Sequence, residues 1–114
     1  MPEIPALKAE LFRVLGHPAR VRILELLSDS ELSVGELQVA LPLDSSGTSQ
    51  HLAALRRQGL VEGRKEGTSV YYRIRDPRTS DLLALARQIL TATLEDSRAL
   101  LDELTAEETS AHQQ

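Results

Sequence analysis

Residues 33–75 read SVGELQVALPLDSSGTSQHLAALRRQGLVEGRKEGTSVYYRIR, and this stretch decides the fold. It opens with Ser33 and Glu36 at the capping-box spacing, in which each side chain satisfies an orphan amide of a helix's first turn. Leu37 and Leu41, with Val34 and Ala40, give that helix (33–41) an inner face. Pro42 cannot continue it comfortably. Leu43 fits the buried residue of a tight turn, and Asp44 or Ser45 caps the next helix. Over residues 45–58 that helix sets Thr48, Leu52 and Leu55 on one face and Ser46, Ser49, Gln50, Ala53 and Arg57 on the others. Gly59 ends it. Residues 60–66 and 69–75 then flank Gly67-Thr68, a short turn with a glycine where a positive φ is wanted. Val70, Tyr72 and Ile74 alternate with Tyr71, Arg73 and Arg75, the period-2 signature of a half-buried strand. Two helices across a tight turn, followed at once by a basic hairpin, make a helix-turn-helix with a wing.

Outward from this stretch the pattern is helical. Residues 6–16 carry Leu7, Leu11 and Leu15 with Phe12 and Val14 beside them, an amphipathic helix for which Gly16 is the C-terminal stop. Residues 18–28 begin at Pro18, a favoured first-turn residue, and bury Val21, Ile23, Leu24 and Leu27. Residues 28–32 are polar and read as a loop. Asp76-Pro77 closes the hairpin, and a long helix follows over about 79–104. Its apolar residues, among them Leu82, Leu83, Leu85, Ile89, Leu90, Leu94, Leu100, Leu101 and Leu104, cover more of its circumference than one small core needs. The expected fold is therefore mainly α with a small β-hairpin: a single winged helix-turn-helix domain over 1–104 and a polar, flexible tail over 105–114. Leu7, Leu11, Leu82, Leu85, Ile89, Leu90, Leu94 and Leu101 are the expected homodimer interface. A chain of 114 residues buries only about two-thirds of its unfolded surface, and a shared core remedies that.

Composition narrows the functional classes. The chain has no cysteine, which excludes disulfides, thiolate metal sites and a cysteine nucleophile. No apolar run approaches the length that spans a membrane, and the first residues have neither the basic start nor the apolar core of a signal peptide, so a cytoplasmic location is expected. No Gly-rich phosphate loop, His-carboxylate pair or serine elbow is present, so an enzyme is not expected. The net charge of −4 is unevenly spread: residues 1–44 balance at −3, residues 45–75 at +4, and residues 76–114 at −5. Net positive charge is confined to the segment that would meet nucleic acid, while acidic flanks repel phosphate.

A helix that enters a major groove needs small or polar side chains at its N-terminal end, so that the backbone approaches closely and hydrogen-bonding groups reach base edges. Ser45, Ser46, Thr48, Ser49 and Gln50 supply them, and Gln50 has the amide that pairs bidentately with adenine. Arg56 and Arg57 suit phosphates. The hairpin tip offers Arg64, Lys65 and Thr68 to the adjacent minor groove or backbone. Blander readings stand beside these: a polar cap on a surface helix, and a hairpin tip that is merely soluble. His51 is either a half-buried histidine with a local hydrogen bond or a contact to phosphate or base. Double-stranded DNA is the expected partner; a protein-interaction module on the same fold is the rival.

The chain resembles ArsR/SmtB-type winged helix-turn-helix repressors over about residues 6–104. The resemblance rests on LGHPARVRIL (15–24), SQHLAALR (49–56), Gly59-Leu60-Val61, and Gly67 followed by Tyr71-Tyr72-Arg73-Ile74. It implies a homodimer joined through its first and last helices, a recognition helix at 45–58, an inverted-repeat operator, and in many members release of DNA by an inducer. It also implies what is missing. Where relatives carry a Cys-x-Cys for soft metals, this chain has Ser33 and Gly35; where others hold metal between last helices, placing Asp81 on their aspartate puts Leu83, Leu94 and Ser97 at the other ligand positions. A hard-ligand site for nickel, cobalt or zinc at His17, His51 or His112 with nearby carboxylates is the alternative, as is a small-molecule or protein effector.

Overall fold

The computed structural model describes residues 3–41 and 45–112. The order is α1 (Ile4–Leu15), α2 (Pro18–Asp29), β1 (Leu32–Ser33), α3 (Val34–Ala40), α4 (Ser45–Arg57), β2 (Val61–Glu66), β3 (Ser69–Ile74) and α5 (Arg78–His112). Each expected helix and both hairpin strands are present. The turn at 42–44, with Pro42, Leu43 and the Asp44 cap, lies outside the described residues.

The local reasons are those of elementary helix chemistry. His17 is extended, as a residue before proline prefers, and Pro18 opens α2. Gly16 closes α1 at φ −77°, so its left-handed freedom is unused. Ser33 Oγ accepts from the Glu36 amide at 3.1 Å, and the Ser33 amide donates to Glu36 Oε1 at 2.9 Å, which completes the capping box of α3. The end of α4 is a Schellman motif. Leu60 N–H donates to the Leu55 carbonyl at 3.0 Å and Gly59 N–H to the Arg56 carbonyl at 2.9 Å, with Gly59 at φ +80°. That geometry turns the chain straight from α4 into β2.

The sheet has one strand more than expected. Residues 28–32 are not simply a loop: α2 runs to Asp29, and Leu32–Ser33 pair antiparallel with Tyr72 and Tyr71. The order is β1-β3-β2, so β3 is the central strand. Two residues are too few to carry an alternating pattern, which is why the strand has no sequence signature. The β2–β3 register runs from Val61↔Ile74 to Glu66↔Ser69 around Gly67, which has φ +61°.

The chain divides into two compact units, 1–81 and 82–114. The first holds the core: Val14, Leu15, Ile23, Leu24, Leu27, Leu37, Leu41, Leu52, Ala54, Leu55 and Val61 are buried. Ala40, expected inside, is exposed. In the second unit, helix continues past Leu104 as far as His112, where a flexible tail was expected. The hydroxyls of Thr105 and Thr109 donate to the carbonyls four residues back, at 2.9 and 3.0 Å. Leu85, Ile89, Leu90, Leu94, Leu100, Leu101 and Leu104 are all exposed along it, as are Ile4, Leu7 and Phe12 on α1, while Leu11, Leu82 and Leu83 are half-buried.

Leu55 is fully buried at the point where α4 meets the core and its carbonyl closes the Schellman turn. Truncation to alanine is expected to cost about 2–5 kcal/mol, the usual range for a buried leucine. Urea denaturation checks this; a loss well under ~1 kcal/mol contradicts the packing described.

Candidate nucleic-acid interface

Helix α4 is held by one face. Thr48, Leu52 and Leu55 are buried, with Thr48 at 0% exposure, and Ala54 is buried beside them. The period of 3.6 residues then directs Ser46, Ser49, Gln50, Arg56 and Arg57 outward, and all five are exposed. The expectation that Thr48 reads DNA is thereby corrected: its side chain faces the core and anchors the helix instead. The side chain of Ser45 lies outside the described residues.

His51 sits at the edge of the exposed face, half-buried. Arg20 Nε–H donates to its Nδ1 at 3.1 Å, and Arg20 Nη1 donates to the Val14 carbonyl at 3.2 Å. One arginine from α2 thus ties the recognition-type helix to the end of α1. An Nδ1 that accepts leaves the proton on Nε2, so the neutral ring presents an N–H donor. Burial lowers the His51 pKa from its ordinary 6.5, and the nearby charges of Arg20 and then His17 lower it further. The His17 ring lies 5.8 Å from that of His51, centre to centre. A contact between positions 20 and 51 has no local pattern in the sequence that would reveal it.

The wing is less cationic than its composition suggests. Arg64 is not a free cation: its Nε donates to Glu31 Oε1 at 2.6 Å, its Nη2 pairs with the same carboxylate, and its Nη1 meets Glu66 Oε2 at 2.6 Å. Its guanidinium carbon stands 4.9 Å from the centre of the Tyr71 ring. These two carboxylates raise its pKa further, Glu31 first. Arg73 is paired with Glu62 at 2.7 Å. Among the described residues Arg56, Arg57, Lys65 and Arg75 take part in no ion pair, and all four are exposed. Thr68 is exposed in the turn beside Gly67. Unpaired positive charge therefore stands at the far end of α4, at the wing tip and just after β3. Glu31, which sequence reasoning passed over, is part of this surface.

Among the described residues no group of three or more His, Cys, Asp or Glu side chains is arranged to hold a metal ion. The side chain of His112 lies outside the described residues.

The family model for "Bacterial regulatory protein, arsR family" matches residues 17–63, from the start of α2 into β2. The HTH-type transcriptional regulator Rv0081 of Mycobacterium tuberculosis, itself uncharacterized, is 48% identical over 101 residues, spanning 88% of this chain and 89% of that protein. The chain belongs to the ArsR family of bacterial transcriptional regulators. Its fold agrees: the crystal structure of Rv0081 superposes with a TM-score of 0.78 at 46% identity, covering 84% of this chain and 97% of that one. The transcriptional activator HlyU of Vibrio cholerae is 42% identical over 69% of this chain and 73% of its own length. A solution structure of the homodimeric winged helix-turn-helix DNA-binding domain of Mb0332 from Mycobacterium bovis superposes with a TM-score of 0.74 at 34% identity, over 81% of this chain and 85% of that one. This ArsR-family chain is accordingly a winged helix-turn-helix transcriptional regulator and not an enzyme.

Because its pKa is depressed, His51 binds its proton less readily in the folded than in the unfolded chain. Its contribution to stability is present above about pH 6.5 and lost as pH falls through the folded value. An NMR titration should place the His51 midpoint below 6.5 and move it upward in Arg20→Met; an unchanged midpoint in that variant contradicts the contact.

Proposed function

We propose that the protein is a homodimeric repressor that inserts α4 of each copy into the major groove of duplex DNA at an inverted-repeat operator. One observation carries this reading. Among the described residues, the first half of α4 exposes small polar side chains and Gln50, while Arg56 and Arg57 stand without an ion pair at its other end. Small residues let the helix backbone approach base edges, Gln50 has the amide that matches adenine, and the arginines meet flanking phosphate. Ser46 and Ser49 take bases or phosphates. Lys65 and Thr68 extend the contact from the wing, and Arg64 joins them when released from its carboxylates. His51, uncharged near neutrality, contributes an Nε2 donor to phosphate. Such work on DNA belongs to the cytoplasm.

Dimerisation is supported by the second unit. Leu90, Leu94, Leu101 and Leu104 recur at spacings of four, seven and three along α5, the period of a helix seam, and all are exposed. A helix with so much exposed apolar surface has a partner in solution, and a second copy is the partner that a two-fold operator requires. The homodimeric Mb0332 domain, 34% identical, is consistent with this. Metal control through His51 has little support: its Nδ1 already accepts from a cationic arginine, and the second nearby histidine shares no carboxylate cluster with it among the described residues. An organic effector, a protein effector or none at all fits these residues at least as well.

Electrophoretic mobility shift against the protein's own upstream region should give a specific complex whose affinity falls steeply, and linearly on logarithmic axes, with salt. Retardation without preference at any salt favours an interaction module instead. Gln50→Ala should cost about 1–3 kcal/mol of discrimination at one base position, whereas Arg56→Ala weakens all duplexes alike. Equal loss on every sequence from both variants contradicts the division of roles. Sedimentation equilibrium should give twice the 12.6 kDa chain mass, and Leu94→Glu should return a monomer; a monomeric wild type removes the dimer.

A further inference from the structure

The Arg64 guanidinium is engaged at all three nitrogens and on one face. Two of its nitrogens meet Glu31, a third meets Glu66, and its face lies over Tyr71. The two carboxylates are not equivalent. Glu66 is on the same hairpin, at the wing tip, and its side chain is 64% exposed. Glu31 comes from a different part of the chain and its side chain is 26% exposed. It immediately precedes β1, which is hydrogen-bonded to the central strand at Tyr72 and Tyr71, and Arg64 pairs with that same Tyr71 from the other side. The sheet therefore fixes how far the Glu31 carboxylate stands from the arginine. This explains why a two-residue strand matters: it seats an acid against the wing.

A guanidinium fork fits a carboxylate and a phosphate by the same geometry. Glu31 thus occupies the coordination that a DNA phosphate would take. Resting on the DNA-binding reading above, we propose that Glu31 is a counter-charge latch for Arg64, holding it against the sheet until a backbone phosphate displaces the carboxylate, and so limiting what the wing adds to affinity. The exchange is one anion for another. Exposed ion pairs are weak, while phosphate contacts gain from counterion release, so the latch yields to DNA rather than blocking it. Lys65, next in the chain, has no ion pair among the described residues and makes its phosphate contact without such an exchange. Glu31 is thus a positioning residue that tunes affinity without touching DNA.

Glu31→Gln tests this cleanly, because the amide oxygen still accepts from Arg64 and only the charge is lost. Fluorescence anisotropy with a labelled mixed-sequence duplex is measured for wild type, E31Q, R64Q and E31Q/R64Q at stepped salt. E31Q should bind about two- to fivefold more tightly at low salt, with the advantage shrinking as salt rises and vanishing in the R64Q background. In the DNA-free protein the Arg64 Nε–H signal should exchange with solvent faster in E31Q than in wild type. Normal wild-type binding with E31Q unchanged or weaker overturns the latch alone, as does a gain that persists without Arg64. A wild type that ignores duplex DNA at every salt overturns the DNA-binding function and the latch with it.

Discussion

The burial of one face of α4 governs what the other face can do. Thr48, Leu52 and Leu55 are locked into the core, and helical periodicity leaves no choice about the rest: Ser46, Ser49 and Gln50 must face out. The helix is also fixed along its length. Arg20 ties its middle, through His51, to the end of α1, and the Schellman turn at Gly59 fixes its exit into β2. A reading helix has to be rigid, since hydrogen bonds to base edges are directional and a slack helix would average them away. Stability and recognition therefore draw on the same few residues.

Electrostatics work at a finer scale than net charge. Concentrating cations in residues 45–75 of an acidic chain localises attraction to phosphate, but the protein does not leave every cation loose. Arg64 and Arg73 are each held across the sheet by a glutamate. Arg56, Arg57, Lys65 and Arg75 have no such partner among the described residues. Pairing neutralises two of the hairpin's cations and, on the proposed reading, moderates attraction to any polyanion, which matters for a regulator that must find one site among many. On the proposed reading, the exposed apolar length of α5 joins two copies, which doubles the number of contacts and matches the symmetry of a two-half operator.

Much of this was legible in the chain. The capping box at Ser33 and Glu36, the Gly67 turn and the alternation of β3 are local signals, and each produced the expected element close to its expected bounds. The faces of α4 follow from periodicity: Thr48 has the polar chemistry of a DNA contact but shares the helical phase of Leu52 and Leu55, and phase decides. What escaped notice depends on residues far apart in sequence. Strand β1 is too short for a pattern, Arg20 reaches across 31 positions to His51, and Glu31 across 33 to Arg64. The helical continuation to His112 has no such signal either, because a run of Thr, Glu and Ala after Leu104 has no apolar stripe to mark it.

On the proposed function, two copies of α4 enter successive major grooves on one face of a duplex. Dimethyl sulfate probing of the duplex that the protein selects from a random pool tests it directly, because guanine N7 lies in the major groove and adenine N3 in the minor. The account predicts two patches of N7 protection centred about 10–10.5 bp apart or a multiple of it, related by two-fold symmetry, with N3 protection confined to the flanks that the wings reach. A single patch, or protection of N3 alone, would contradict it.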